Sequence, residues 1–231
     1  MIAKIKGLLL IIEFVITILT TIVLLYIFKN KQHKIRKSWA IMQTYIMGFN
    51  IIQKGKPDPE AKLILLNHQS VVDIIALEAI HPQNQCWVAK EELEQIPLFG
   101  HIITAPGMIA INRKDKRSII KIIKLSKKRL KEGRVISMFP EGTRGDGKSL
   151  LEFQSGAKIL AEKLNLKVQP IVINNTKHIF DSQKLTAHSG NISITYLDSV
   201  DPKSDENWYE TLEENMRKRL NDELANNTSN R

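Results

Sequence analysis

Leu63-Ile64-Leu65-Leu66-Asn67-His68-Gln69-Ser70-Val71-Val72-Asp73 is the stretch on which the fold turns. An apolar, strand-like run stops at Asn67-His68. A polar step follows, and a second apolar run begins a helix. A histidine at the mouth of a strand, with a carboxylate five residues on, can form a base and its orienter. Imidazole takes a proton near neutral pH, and a carboxylate on its other ring nitrogen fixes the tautomer and steadies the imidazolium. In a regular helix, positions five apart diverge by roughly 140°. The pair therefore meets only if His68 lies in the turn before the helix and Asp73 in its first turns. Ser70 is the N-cap expected for such a start.

Working outward, apolar runs bounded by turn residues predict strands over 62–66, 85–89, 107–112, 134–139, 168–173 and 192–197. Helical spacing predicts helices over 71–80, 116–131 and 153–164. A last helix is expected over 205–224, where Trp208, Leu212, Met216, Leu220 and Leu224 recur every four residues. Interleaved strands and helices imply an α/β fold, with a mixed or mostly parallel sheet flanked by helices. Gly55, Pro57 and Pro59 mark a linker. The expected organisation is membrane-anchoring helices over 1–52, a linker over 53–60, a catalytic domain over 61–225 and a flexible tail over 226–231.

Gly7 to Phe28 carries Glu13 as its only charge. As a helix it is about 33 Å long at 1.5 Å per residue, enough for a hydrocarbon core of about 30 Å. It ends in Tyr26-Ile27-Phe28-Lys29, without the small residues of a cleavage site. Glu13 leaves open a helix that lies in the membrane rather than crossing it. Lys29, Lys31, Lys34, Arg36 and Lys37 follow, which favours anionic headgroups and the cytoplasmic side, though Lys4 and Lys6 flank the other end. Trp39 to Ile52 is a second apolar segment. It reads equally as the partner of the first helix in a membrane platform and as the first amphipathic helix of the soluble core.

The chain has 231 residues, 34 Lys+Arg and 24 Asp+Glu, a formal net charge of +10. That balance points to an anionic partner. A single cysteine, Cys86, excludes an intrachain disulfide framework. No Gly-x-Ser-x-Gly elbow, zinc ligand set or Gly-x4-Gly-Lys-Ser/Thr loop is present. Lys114 to Arg134 holds ten Lys/Arg and two acidic residues, with Ile119, Ile122, Ile123 and Leu130 as a buried stripe. Its basic face suits anionic lipid or an acidic carrier protein. Neither a groove-reading fold nor an aromatic base platform is evident, so no nucleic acid is expected.

Three further blocks accompany His68-x4-Asp73. Gly107-Met108-Ile109-Ala110-Ile111-Asn112-Arg113 brackets a strand with glycine and arginine. Phe139-Pro140-Glu141-Gly142-Thr143-Arg144 runs from a strand into a tight turn that Gly142 permits. Glu141 can accept from a polyol hydroxyl, and a guanidinium fork matches two phosphate oxygens. Val168-Gln169-Pro170-Ile171-Val172-Ile173 is an apolar strand. These four blocks, in this order, resemble the glycerolipid acyltransferase family. Lys90-x-x-Leu93-x3-Pro97-x2-Gly100 also resembles a pattern common in that family. The fourth block departs from it, with Asn174 where the family has proline.

The resemblance implies transfer of an acyl chain from acyl-coenzyme A or acyl-carrier protein to the sn-2 hydroxyl of 1-acyl-sn-glycerol 3-phosphate, giving phosphatidic acid. It implies His68 as base, Asp73 as its orienter, and Glu141, Gly142, Thr143, Arg144, Arg113 and Lys90 around the acceptor. No permanently bound cofactor or metal is expected; the acyl thioester is a co-substrate. The expected surroundings are membrane lipids of an anionic leaflet, with the catalytic domain on the cytoplasmic side of the inner membrane. Two rivals stand beside this reading. One is a sister acyltransferase acting on another lysophospholipid or on glycerol 3-phosphate. The other is a non-enzymatic membrane adaptor, which leaves the His68/Asp73 and Glu141/Arg144 pairs unexplained.

Overall fold

A computed structural model describes residues 2–112, 115 and 117–229. The N-terminal apolar run forms α1 (Ile2–Ile27), followed by a single 3-10 turn and α2 (Gln32–Met47). Gly48, at φ +74°, ends α2 with its N–H on the carbonyls of Thr44 and Tyr45. The chain then turns into β1 (Phe49–Lys54), where the sequence reading expected the end of a helix and the start of a linker. The reason is the left-handed C-cap: glycine holds that conformation without a Cβ clash and reverses the chain. β1 then pairs in parallel with β9 (Gly190–Tyr196), from Phe49 opposite Gly190 to Lys54 opposite Thr195.

The elements between them are β2 (Leu63–Leu66), α3 (Val72–Ile80), β3 (Gln85–Lys90), α4 (Glu91–Glu94), α5 (His101–Thr104), β4 (Ile109–Ile111), α6 (Ser118–Lys131), β5 (Val135–Met138), α7 (Ser155–Leu164), β6 (Val168–Asn174), α8 (Thr176–Ile179), β7 (Phe180–Asp181) and β8 (Thr186–Ala187). The chain closes with α9 (Trp208–Ser229), which extends past the expected end at Leu224 into the segment read as a tail. One seven-stranded sheet has the order β1-β9-β6-β2-β5-β3-β4, and β7 and β8 form a separate hairpin. Each neighbouring pair in the large sheet is parallel except β6 with β9. The sheet is mixed and mostly parallel, as the alternating elements imply.

β2 shows why a run of four apolar residues suits the centre of such a sheet. Ile64 and Leu66 enter the core under α2 and α3, while Leu63 and Leu65 enter the opposite core with residues of α6, α7 and α9. A strand covered on both faces has no need of polar alternation. Asn67 extends the ladder: its amide donates to the Ile173 carbonyl at 2.8 Å, and its oxygen accepts the Ile173 N–H at 2.7 Å. The last turn of β2 is thereby fixed to β6 just before His68.

α1 lies along the protein over its whole length. Gly7 and Leu10 near one end are buried, as are Ile18, Ile22 and Leu25 toward the other. Gly7 permits this at the hairpin: a Cβ there would stand 2.2 Å from the Leu185 carbonyl oxygen. The outward face carries Leu8, Leu9, Ile12, Ile16, Val23 and Ile27, all exposed. Among the described residues, α1 is the one helix long and apolar enough to cross a membrane. Between α1 and α2, Gln43 bonds Glu13 at 2.8 Å and Thr17 at 3.1 Å, and the Trp39 indole N–H reaches Thr17. Glu13 thus faces a partner helix.

Candidate active site

His68 and Asp73 meet in the arrangement that their spacing demands. His68 sits in the turn after β2, and Asp73 is the second residue of α3. His68 Nδ1 lies 2.8 Å from Asp73 Oδ2, with the Asp73 side chain fully buried and the His68 side chain 13% exposed. A carboxylate only accepts, so this contact puts the proton on Nδ1 and leaves Nε2 free to take one. The Phe139 ring stacks on the imidazole at a centroid distance of 3.7 Å and 14°.

Asp73 does more than orient His68. Its Oδ2 also accepts the N–H groups of Gln69 (2.7 Å) and Ser70 (2.8 Å), and its Oδ1 accepts the hydroxyl of the wholly buried Thr176. The carboxylate therefore braces the turn just before the helix, and the cap expected of Ser70 is not made: the N-cap residue is Val71, with no side-chain cap bond. α3 starts at Val72, and the Ser70 hydroxyl instead donates to the Phe180 carbonyl at 2.7 Å, receiving only a 3.4 Å contact from the Val72 N–H. From the first turn the Asp73 carboxylate reaches back onto two N–H groups of the preceding turn at once.

The Phe139–Gly145 loop holds His68 by its main chain. Glu141 Oε1 accepts the His68 N–H at 2.6 Å, and the Gly145 N–H donates to the His68 carbonyl at 2.8 Å. The other Glu141 oxygen accepts the Leu151 N–H at 2.8 Å. Glu141, read from sequence as a partner of a glycerol hydroxyl, is 5% exposed with both oxygens on backbone donors. Burial pushes its carboxyl up to about 7, against the pull of the Leu151 and His68 N–H groups.

The remaining residues of the block divide between two sides. Gly142 (φ +73°) and Thr143 line an open cleft of about 610 Å³, with Val88, Ser118, Phe139 and Gly156 among its walls. Arg144 turns away, donating to the Ser182 hydroxyl at 3.3 Å, and lines an apolar cavity of about 280 Å³ under α1 and α3. The lining of that cavity includes the buried Arg36–Glu78 ion pair, where the Trp87 indole N–H also donates to Glu78 at 2.8 Å. Lys90 is exposed at the end of β3. Arg113 lies outside the described residues. Thr176 was not foreseen, because it meets Asp73 across 103 positions of chain with no spacing to announce it.

The family model described as Acyltransferase matches residues 50–174, more than half of the chain, from the second residue of β1 to the end of β6. The chain is 44% identical to the 1-acyl-sn-glycerol-3-phosphate acyltransferase of Helicobacter pylori, over 87% of this chain and 86% of that one. It is 28% identical to human 1-acyl-sn-glycerol-3-phosphate acyltransferase beta over 60% of this chain, which spans half of the human protein. The crystal structure of the 1-acyl-sn-glycerophosphate acyltransferase PlsC from Thermotoga maritima superposes with a TM-score of 0.76 at 21% identity, covering 97% of this chain and 95% of that one; at that identity the likeness concerns the fold. The matched span contains His68, Asp73 and the Glu141–Arg144 turn, and the chain belongs to the Acyltransferase family.

Proposed function

We propose that this protein transfers an acyl chain from a thioester to the 2-hydroxyl of 1-acyl-sn-glycerol 3-phosphate. The observation that carries the reading is His68, held by Asp73 through Nδ1 with Nε2 left to accept a proton. Nε2 removes the hydroxyl proton as that oxygen attacks the thioester carbonyl. The tetrahedral intermediate then expels the thiolate, which takes the proton from His68, and no acyl-enzyme forms. Asp73 holds the imidazolium in between. Glu141 acts through the main chain of His68. Arg144, with Arg113 and Lys90, takes the acceptor phosphate, and Gly142 and Thr143 border the cleft by which the thioester arm arrives.

The donor chain enters the apolar cavity whose lining includes Arg36 and Glu78. The start of α6 lines the cleft, and the helix's exposed lysines Lys124, Lys127, Lys128 and Lys131 suit an acidic carrier protein as well as the phosphates of coenzyme A. Burial at both ends of α1, with an apolar outward face, favours a helix lying in one leaflet over one that crosses the bilayer. The catalytic domain then sits on the cytoplasmic surface, where acceptor and product are exchanged laterally.

The test follows phosphatidate formation from lysophosphatidate with acyl-coenzyme A and, separately, acyl-carrier protein. Wild type should form product with at least one donor, and His68→Ala should be slower by orders of magnitude. Undiminished activity in His68→Ala would remove the base. Failure with both donors would move the acceptor to another lysolipid or to glycerol 3-phosphate.

A further inference from the structure

The cavity lined by Arg36 and Glu78 is not the whole of the apolar space. A second cavity, also of about 280 Å³, lies under the N-terminal half of α1. Leu10, Ile11 and Val15 roof it, and Met47 and Phe180 are among its walls. The two cavities share Phe14, Val71, Phe99 and Arg144. They are therefore adjacent, meeting along residues that include Val71, just after the turn that carries His68, with Arg144 lining both.

The reaction read above joins two molecules that each bring an acyl chain to one histidine. In a single cavity those chains would compete. Two adjacent cavities that share Arg144 let both be bound while the phosphate stays at that cation. The cavities also differ in what closes them. The lining of the first includes a buried ion pair and Trp87, a wall against which the tip of a chain can rest. The second lies directly beneath the part of α1 whose other face exposes Leu8, Leu9 and Ile12. A lipid already resident in a bilayer would reach it from that side.

We propose that the second cavity binds the acceptor's own 1-acyl chain, with Arg144, which lines both cavities, separating it from the donor chain. This rests on the acceptor reading above. Val15 lines only the second cavity and Ala89 only the first, and both are half-buried. The experiment measures wild type, Val15→Phe, Val15→Ala and Ala89→Phe against a grid of short, medium and long lysophosphatidates and acyl-coenzyme A donors. Val15→Phe should raise KM for long lysophosphatidates relative to short ones, by about fourfold for each methylene displaced, and leave the donor profile unchanged. Val15→Ala should shift the acceptor optimum the other way, and Ala89→Phe should shift the donor profile alone. If Val15→Phe moved the donor profile, one bent chain would run through both cavities and the assignment would fall. Unchanged acceptor profiles in both Val15 variants would also overturn it. Wild type forming no product from any lysophosphatidate would instead remove the acceptor reading, and this proposal with it.

Discussion

Glu141→Gln separates two roles for the same carboxylate. Both Glu141 oxygens accept backbone N–H groups, from His68 at 2.6 Å and from Leu151 at 2.8 Å, in a side chain 5% exposed. An amide of the same shape keeps one acceptor and replaces the other with a donor. One buried N–H then faces an NH2, at a cost of about 1–3 kcal/mol for the unmade bond. For a chain of this size that lowers Tm by roughly 2–12 °C. If the bond lost is the one to His68, the imidazole shifts relative to the acceptor, and a displacement of about 1 Å can cost on the order of a hundredfold in rate. Thermal unfolding by circular dichroism reads the first effect, and steady-state kinetics with lysophosphatidate varied reads the second. The expected pattern is a lower Tm and a lower kcat with little change in KM. A raised KM with Tm and kcat intact would mean that Glu141 touches the glycerol, and the clamp reasoning would be refuted.

Other perturbations follow from the same geometry. Thr176→Ala and Thr176→Val leave a buried Asp73 oxygen without its hydroxyl donor and should lower kcat about tenfold or more, while Thr176→Ser restores it; equal rates in all three would remove Thr176 from the site. The Glu141 carboxyl titrates near 7 in the folded chain, above its unfolded value of 4.5, so the stability it contributes is complete below about 4.5 and lost as pH rises through about 7. The Tm advantage of wild type over Glu141→Gln should accordingly narrow across that window in a pH series, and a constant gap would contradict the raised value. Glu78→Ala strands the Arg36 guanidinium in the core and should cost about 3–5 kcal/mol, read by urea unfolding; a loss below about 1 kcal/mol would show that water reaches the pair. Aspartates at Leu8, Ile12 and Ile16 should abolish flotation with anionic vesicles without changing helix content, whereas unchanged flotation would place the membrane contact elsewhere.

The strand-to-helix step at His68 was legible because its signals are local. An apolar run ends, a turn begins, and two side chains five apart have one workable geometry. The central strands were legible for the same reason, each to within about two residues. β1 was not. Phe49 to Lys54 follows a helix with only Gly48 between them, and its partner β9 is far away in sequence, so the apolar content of Trp39–Ile52 read as one continuous segment. The Phe139–Arg144 turn was recognisable as a block, but its direction was not. Whether Thr143 and Arg144 face one pocket or two depends on Gly142 at φ +73° and on contacts to Ser182. The partners of Glu141 are backbone N–H groups, which every residue carries and no motif records. Thr176 meets Asp73 only because β6 delivers it beside β2.

What holds position 68 acts on its main chain: Glu141 on its N–H and the Gly145 N–H on its carbonyl. Asp73 keeps the N–H groups of Gln69 and Ser70 and the Thr176 hydroxyl when the imidazole is gone. A chain lacking the ring should therefore keep its walls. His68→Ala is then a trap rather than a ruin, able to hold thioester and lysolipid together without turnover, and that stalled ternary complex is the state to crystallise.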